Sequence, residues 1–445
     1  MIPPFKIKTI EPIAISSIND RQTWIKEAKY NLFNLKSDQV MVDFLTDSGT
    51  GAMSAEQTAC LITGDESYAG SASYHNFYSV INDLTDFKYI YPVHQGRAAE
   101  KILFSIISDR GRIIPSNSHF DTTRAHIEYT GGEALDLIDE SDGNFKGNMD
   151  IDKLQKLLQS NNEDIPLIML TITNNTNGGQ PVSLDNIKAV SNLARQYNKL
   201  FFIDGCRFAE NAFFIKTRES GYADYSIKDI VRKIFSYADG MTMSAKKDAI
   251  VHIGGWIATR NSDLAKKIEE LVILHEGFRT YGGLAGRDLD AIAIGIISGL
   301  QLDYLQYRIQ QVQSLGKELL KLGIPLLTPI GGHAIYVDAK EFLPHIISSQ
   351  FPGHALAVEL YIQGGIRSCE IGSLMFGKNG KTPQKELLRL AIPRRVYGKE
   401  HLDYVVSIFE KIAKIKHKIK GMKIIQDTGS LRHFTASLDY VESSN

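Results

Sequence analysis

Cysteine, net charge and long apolar runs are all scarce in this chain, and each scarcity removes a class of protein. Its three cysteines in 445 residues, Cys60, Cys206 and Cys369, are far apart and odd in number. They give neither a disulfide framework nor the close spacing of zinc ligands, a pattern suited to a reducing interior. With 50 basic and 51 acidic side chains the formal charge is −1, too little for a global field aimed at nucleic acid or an anionic membrane. No apolar stretch reaches membrane length. The opening Met-Ile-Pro-Pro-Phe-Lys-Ile-Lys lacks an apolar core of signal-peptide size. There are no low-complexity tracts and no internal repeats. With 43% apolar and 23% charged residues, the expectation is a soluble, cytoplasmic globular chain, long enough for a large core and more than one domain.

The middle of the chain alternates strand-like and helix-like patterns. Leu167–Thr173 is a short β-branched, apolar run that ends in Asn174-Asn175-Thr176-Asn177-Gly178-Gly179. Ser183 is a suitable N-cap for a helix with Ile187, Val190, Ala194 and Tyr197 on one face. Leu200-Phe201-Phe202-Ile203 then reads as a second buried strand, stopping at Asp204-Gly205. This βαβ unit predicts a parallel sheet covered by helices, whose ligands gather at the carboxyl ends of the strands. After residue 300 the pattern changes. Leu302, Leu305, Ile309, Val312 and Leu319 trace a long helix that Gly323 ends, followed by a strand at His333–Val337 and a helix around Ala355–Gln363. These elements predict a smaller α+β domain of residues 17–54 and 300–445, an N-terminal arm at 1–16, and a large α/β domain at 55–299. The tail after Thr435 is expected to fray.

Two adjacent lysines carry the most information. Lys246 and Lys247 stand in Met-Thr-Met-Ser-Ala-Lys-Lys-Asp, ahead of Ile-Val-His-Ile-Gly-Gly-Trp-Ile-Ala-Thr. Strand-like runs on both sides place the pair on a short turn at the edge of a sheet. A solvated loop is the simpler reading of Lys-Lys. A lysine beside a second cation in a partly dry site, however, loses proton affinity and becomes a usable amine nucleophile. His94-Gln95-Gly96-Arg97-Ala98-Ala99-Glu100 opens a helix with Ile102, Leu103, Ile106 and Ile107 as apolar positions. Its free N–H groups, dipole end and guanidinium together suit a phosphate. Asp204, with Arg207 three residues on, is either a local ion pair or helix cap, or a carboxylate held against a protonated heterocyclic nitrogen. Phosphate site, aspartate and reactive lysine, in that order, are the fittings of a pyridoxal phosphate enzyme of the large aminotransferase-like class.

Over residues 5–440 the chain resembles the tryptophanase/tyrosine phenol-lyase family of pyridoxal-phosphate-dependent β-eliminating lyases. The resemblance is carried by Leu45-Thr46-Asp47-Ser48-Gly49-Thr50, Gly64-Asp65-Glu66-Ser67-Tyr68-Ala69-Gly70, His94–Glu100 and Gly178-Gly179-Gln180-Pro181-Val182-Ser183. It continues through Arg207–Phe214, Ser244–Asp248, Tyr281-Gly282-Gly283-Leu284 and Ile392-Pro393-Arg394. It implies fold type I, with a mostly parallel seven-stranded sheet, and a homotetramer with active sites at subunit interfaces. By the same resemblance Lys247 binds the cofactor covalently and Lys246 tunes it. Gln95, Gly96, Arg97 and Ser244 hold the phosphate, Phe120 stacks on the ring, and Asp204 faces the ring nitrogen. Asn175 and Arg207 contact the phenolic oxygen. Arg394, helped by Thr46 and Asn175, binds the substrate's α-carboxylate, for which a guanidinium is well shaped. Tyr68 is the general acid for a carbon leaving group. Glu66 and the carbonyls of Gly49 and His252 match a potassium site.

The resemblance also bears on the substrate. Asp121, Ile371 and His433 match the tryptophan branch, where the tyrosine branch has threonine, arginine and phenylalanine. An apolar Ile371 suits an indole, and Asp121 can accept the indole N–H. The alternatives are β-elimination of tyrosine and a broader lyase for cysteine or serine derivatives. Two departures stand apart from that pocket. Arg279 replaces a usual proline, and Leu284-Ala285-Gly286-Arg287-Asp288 reads more like the tyrosine branch.

Overall fold

The computed structural model describes residues 2–141, 143–377, 383–427, 429 and 431–442. The chain divides into two compact units, Ser48–Tyr307 and Met1–Asp47 with Arg308–Asn445. Those divisions fall at 47/48 and 307/308, where the sequence suggested 54/55 and 299/300.

The unit Ser48–Tyr307 is built on a seven-stranded sheet. Its strands are β1 (Tyr89–Val93), β2 (Ile113–Ser116), β3 (Glu133–Asp136), β4 (Leu167–Thr171), β5 (Leu200–Asp204), β6 (Gly240–Ser244) and β7 (Gly255–Thr259). In space they run β3-β2-β4-β5-β6-β7-β1. All neighbours pair in parallel except β7, which is antiparallel to both β6 and β1. Every residue of β4, β6 and β7 is buried, as expected of strands covered on both faces. The βαβ reading holds in detail: helix Leu184–Gln196 links β4 to β5, and the Ser183 hydroxyl accepts from the Asn186 N–H at its start. Helix Gly96–Ile107 follows β1 and packs Ile102, Leu103 and Phe104 into the core under the sheet.

The second unit holds a three-stranded antiparallel sheet, ordered Cys369–Ile371, Leu387–Ala391, Ala334–Asp338. Helix Pro352–Gly364 is apolar nearly all round and lies in the core of this unit, with Leu356, Val358, Leu360 and Tyr361 fully buried. Val42–Asp43 pairs with Ile366–Arg367, so the N-terminal segment completes this unit. Residues 2–17 carry no helix or strand, and helix Ile18–Glu27 begins at a Ser17/Asp20 capping box. The expected fraying after Thr435 is corrected for Ser437–Tyr440, a strand paired with Met422–Gln426. Leu438 is 3% exposed and anchors that strand in the core. Among the described residues no helix is long and apolar enough to cross a membrane.

Candidate functional site

The turns that leave the carboxyl ends of the large sheet carry most of the predicted site residues. Lys246 and Lys247 follow β6, an interior strand, so their loop lies at the end of the sheet rather than at its side. It is tied down closely. Ala245 N–H donates to the Gly254 carbonyl at 3.0 Å, Gly254 N–H to the His94 carbonyl at 2.7 Å, and Gly49 N–H to the Lys246 carbonyl at 2.8 Å. The Lys246 ammonium is 3.4 Å from the Gln95 side-chain oxygen. Burial, then the charges of Lys247 and Arg97, pull Lys246 down to about 8. The neighbouring cations thus act on Lys246 together with its burial.

Facing that loop is the start of helix Gly96–Ile107, with Gln95 at its N-cap and no side chain capping it. A Cβ built on Gly96 would lie 2.6 Å from the Ser244 Cβ and 3.1 Å from the Ser244 backbone nitrogen. Only glycine lets the helix end come this close to the end of β6. The Ser244 hydroxyl is buried and has no hydrogen-bond partner among the described residues. Exposed Arg97 stands on the same first turn. Free helix-end N–H groups, an unpartnered hydroxyl and a guanidinium form a cradle for a phosphate.

Asp204 ends β5, is 7% exposed, and accepts the Cys206 N–H at 3.2 Å. The Cys206 sulfur in turn accepts the Ser244 N–H at 3.4 Å. Burial, and next the charge of Asp204, push that thiol up to about 12, so it stays protonated. Arg207 (4% exposed) occupies the N-cap position of helix Phe208–Arg218 and donates its backbone N–H to the Ile172 carbonyl, and Asn175 (6%) lies on the turn after β4. Phe120 is the N-cap, and Asp121 the first residue, of helix Asp121–Tyr129. Asp121 is 6% exposed, with its Oδ1 2.6 Å from the Thr122 N–H.

Three predicted residues of this unit have other surroundings. Tyr68 is 69% exposed, stacks on Phe278 and tilts against Tyr281. A hydrogen bond with Tyr281 raises its hydroxyl pKa. Glu66 accepts the N–H groups of Gly286 and Arg287 at 3.0 and 3.2 Å, at the start of helix Gly286–Gly299. His252 is near Gly49: a Cβ on Gly49 would be 3.1 Å from the His252 carbonyl oxygen. Arg279 pairs with Glu269 at 3.4 Å.

In the second unit, Arg394 is 1% exposed and pairs with Asp47 at 2.8 Å, one residue from part-buried Thr46. Ile371 is 3% exposed in an apolar cluster that Phe33 packs against. Phe33 stands edge-on to buried His433. One aromatic ring therefore links the two positions.

Residues 43–407 match the Beta-eliminating lyase family. The chain belongs to that family. It is 53% identical to a tryptophanase of Salinibacter ruber, over 98% of this chain and 95% of that one. It is 46% identical to a tyrosine phenol-lyase of Clostridium tetani, over 99% and 98%. A serine palmitoyltransferase of Sphingomonas wittichii shares the fold at a TM-score of 0.63 and 12% identity, over 90% of this chain and 97% of that one. The architecture is thus fold type I of the pyridoxal phosphate enzymes, and pyridoxal phosphate is the cofactor that this fold and family support. The β-eliminating lyase fits that group on its own geometry: the Gly96–Ser244 cradle suits a phosphate, the Asp204 carboxylate a ring nitrogen, and the lysine pair an aldehyde.

Sequence reading missed three features. Glu100 is buried beneath the site, and both oxygens accept threonine hydroxyls, from Thr122 at 2.8 Å and Thr123 at 2.6 Å. His119, 2% exposed, is held by Asp136, whose Oδ1 accepts both its N–H at 2.9 Å and its ring Nδ1 at 2.7 Å. That clamp fixes the backbone just before Phe120. Asp47 is the partner of Arg394. Glu100 and Asp47 stand inside motifs that were singled out for other residues, and only pairing in space distinguishes them.

Proposed function

We propose that the chain catalyses β-elimination of L-tryptophan with water to indole, pyruvate and ammonia, as a cytoplasmic, potassium-dependent homotetramer. Pyridoxal phosphate, when bound, supplies the electron sink for the charge left at the α-carbon. The chain's own side chains do the rest. Gln95, Gly96, Arg97 and Ser244 hold the phosphate, Phe120 lies against the ring, Asp204 keeps a proton on its nitrogen, and Asn175 and Arg207 contact its phenolic oxygen. Lys247 binds the cofactor covalently. Its free ε-amine would serve as the base for the substrate's α-proton, with Lys246 beside it to keep that amine reactive. Arg394, oriented by Asp47 and assisted by Thr46, takes the α-carboxylate. The Tyr68 hydroxyl delivers a proton to the indole carbon that must leave, general-acid work worth about 10²- to 10⁴-fold in rate.

The observation that carries the choice of ring is the corner formed by Ile371, Phe33 and His433. Buried Ile371 presents no donor or acceptor to a phenol hydroxyl, whereas an indole needs apolar contact. Asp121 is assigned the indole N–H. Greater identity to a tryptophanase than to a tyrosine phenol-lyase points the same way. The exposure of Tyr68 supports sites completed by a second subunit, since a general acid works best where water is excluded. Gly49 and His252 carbonyls with Glu66 are the proposed potassium ligands.

The test is pyruvate release from L-tryptophan and L-tyrosine side by side, with added cofactor and potassium. Indole and pyruvate from tryptophan are expected. Release from tyrosine alone would keep the mechanism and reject the ring assignment. Loss of the visible chromophore in Lys247→Ala checks the attachment residue.

A further inference from the structure

One buried ionisable group next to the site has no role in this mechanism. Glu100 is 7% exposed on helix Gly96–Ile107, the helix that begins with the phosphate cradle. Its two oxygens accept from Thr122 and Thr123, which lie on the first turn of helix Asp121–Tyr129. One carboxylate thus joins the segment carrying Gly96 and Arg97 to the segment carrying Phe120 and Asp121. Burial, then the charge of Asp204, raise its carboxyl to about 7; the two hydroxyls pull it back, and Asp121 adds a smaller push upward. The charges that act on it are those of Asp204, from β5, and Asp121, from the neighbouring helix.

A bridge between two helices needs only hydrogen-bonding atoms. A neutral amide would supply them without the cost of burying a charge beside two other carboxylates. An ionisable group kept there has an electrostatic consequence for whatever Asp204 faces. We propose that Glu100 is a positioning residue that sets the negative charge behind Asp204, and with it the proton affinity of the heterocycle Asp204 holds, while its two hydroxyl bonds fix the turn presenting Phe120 and Asp121. This rests on the cofactor reading above. Ionised Glu100 strengthens the field that keeps a proton on the bound heterocycle. Protonated Glu100 weakens it.

The experiment is a pH titration of the visible absorption of holoenzyme, comparing wild type with Glu100→Gln and Thr123→Val. Glu100→Gln keeps the shape and removes the charge, and its spectral midpoint should fall by roughly half to one pH unit, as expected for loss of a nearby like-acting charge. Thr123→Val removes one hydroxyl that stabilises the carboxylate, so Glu100 stays protonated to higher pH and the midpoint shifts the same way by less. Infrared difference spectra of the apoenzyme give a second readout: a protonated-carboxyl band that disappears as pH rises through neutrality in wild type and is missing in Glu100→Gln. Midpoints equal to wild type in folded, cofactor-loaded variants would overturn the proposal. If Glu100→Gln does not fold, Thr123→Val and the wild-type infrared titration decide it alone. A wild type that takes up no chromophore is a separate failure and overturns the cofactor reading.

Discussion

Gly96→Ala adds a single methyl group at the closest approach in the cradle. That carbon would lie 2.6 Å from the Ser244 Cβ and 3.1 Å from the Ser244 Cα and nitrogen, whereas unstrained carbon–carbon contacts lie at roughly 3.5–4.0 Å. About an ångström must therefore come from backbone, either at the helix end or at the last residue of β6. Neither end yields readily, because Ser244 N–H is bonded to Cys206 and the adjoining loop to Gly254. Overpacking of this kind costs about 1–3 kcal/mol. If the strain appears mainly as a deformed cradle, pyridoxal phosphate should bind about 10- to 100-fold more weakly, at 1.4 kcal/mol per tenfold. Titration of apoenzyme with the cofactor, followed by absorbance, measures this directly. Gly70→Ala is the control: Gly70 has a φ of +65° and no atom within 4 Å of an added Cβ, so it should lose about 1–2 kcal/mol of stability through backbone strain and no cofactor affinity. A Gly96→Ala protein that binds the cofactor within about twofold of wild type would refute the steric argument.

Other consequences can be measured as readily. His354 is buried, its Nε2 lies 2.7 Å from the Tyr30 carbonyl, and burial lowers its pKa from 6.5 to about 4. The unfolded chain therefore takes up that proton first, and stability should be lost as pH falls from 6.5 toward 4, by up to about 1.4 kcal/mol per pH unit. Melting temperatures in His354→Gln should show a shallower decline over that window, and equal slopes would contradict the assignment. Asp47→Asn removes the charge that pairs with the buried Arg394 guanidinium at 2.8 Å and should cost up to about 3–5 kcal/mol in stability. It should also raise KM for tryptophan more than it lowers kcat; a variant with wild-type melting and KM would remove Asp47 from the account. Tyr68→Phe should lower turnover of tryptophan by about 10²- to 10⁴-fold and spare S-substituted cysteines, whose leaving group departs without protonation at carbon. Equal loss on both substrates would reject Tyr68 as the selective acid.

Much of this was legible in the sequence because local signals coincided. Ser183 announces its helix through a side-chain cap, and β4 and β5 are short apolar runs each ending at a polar turn. Those turns carry Asn175 and Asp204, which is where a parallel sheet collects ligands. The reversal of β7 was hidden, since Gly255–Thr259 reads as a buried strand in either direction. Glu100 was equally hidden: an acid in Gly-Arg-Ala-Ala-Glu looks like part of a solvated first turn, and only the approach of Thr122 and Thr123 shows it buried. Ser437–Tyr440 was mistaken for a fraying tail because a four-residue strand with one apolar anchor has little pattern of its own, and its partner sits more than ten residues away. The family-matched residues of the second unit, Arg394 among them, carry no local signature that separates a buried pair from a surface charge.

The antiparallel course of β7 has a kinetic consequence. Because β6 and β7 are sheet neighbours running in opposite directions, the lysine segment is a short hairpin connection and not a long crossover. Ala245, Lys246, Lys247 and Gly254 all have backbone atoms in hydrogen bonds. A segment pinned in this way does not swing as a loop. In the proposed role, Lys247 would therefore reposition its amine on its own four-carbon arm, by rotamer changes on the picosecond-to-nanosecond scale rather than by backbone rearrangements in microseconds or longer. The amide protons of Ala245, Ile250 and Gly254, which donate to the carbonyls of Gly254, Lys247 and His94, should accordingly exchange slowly.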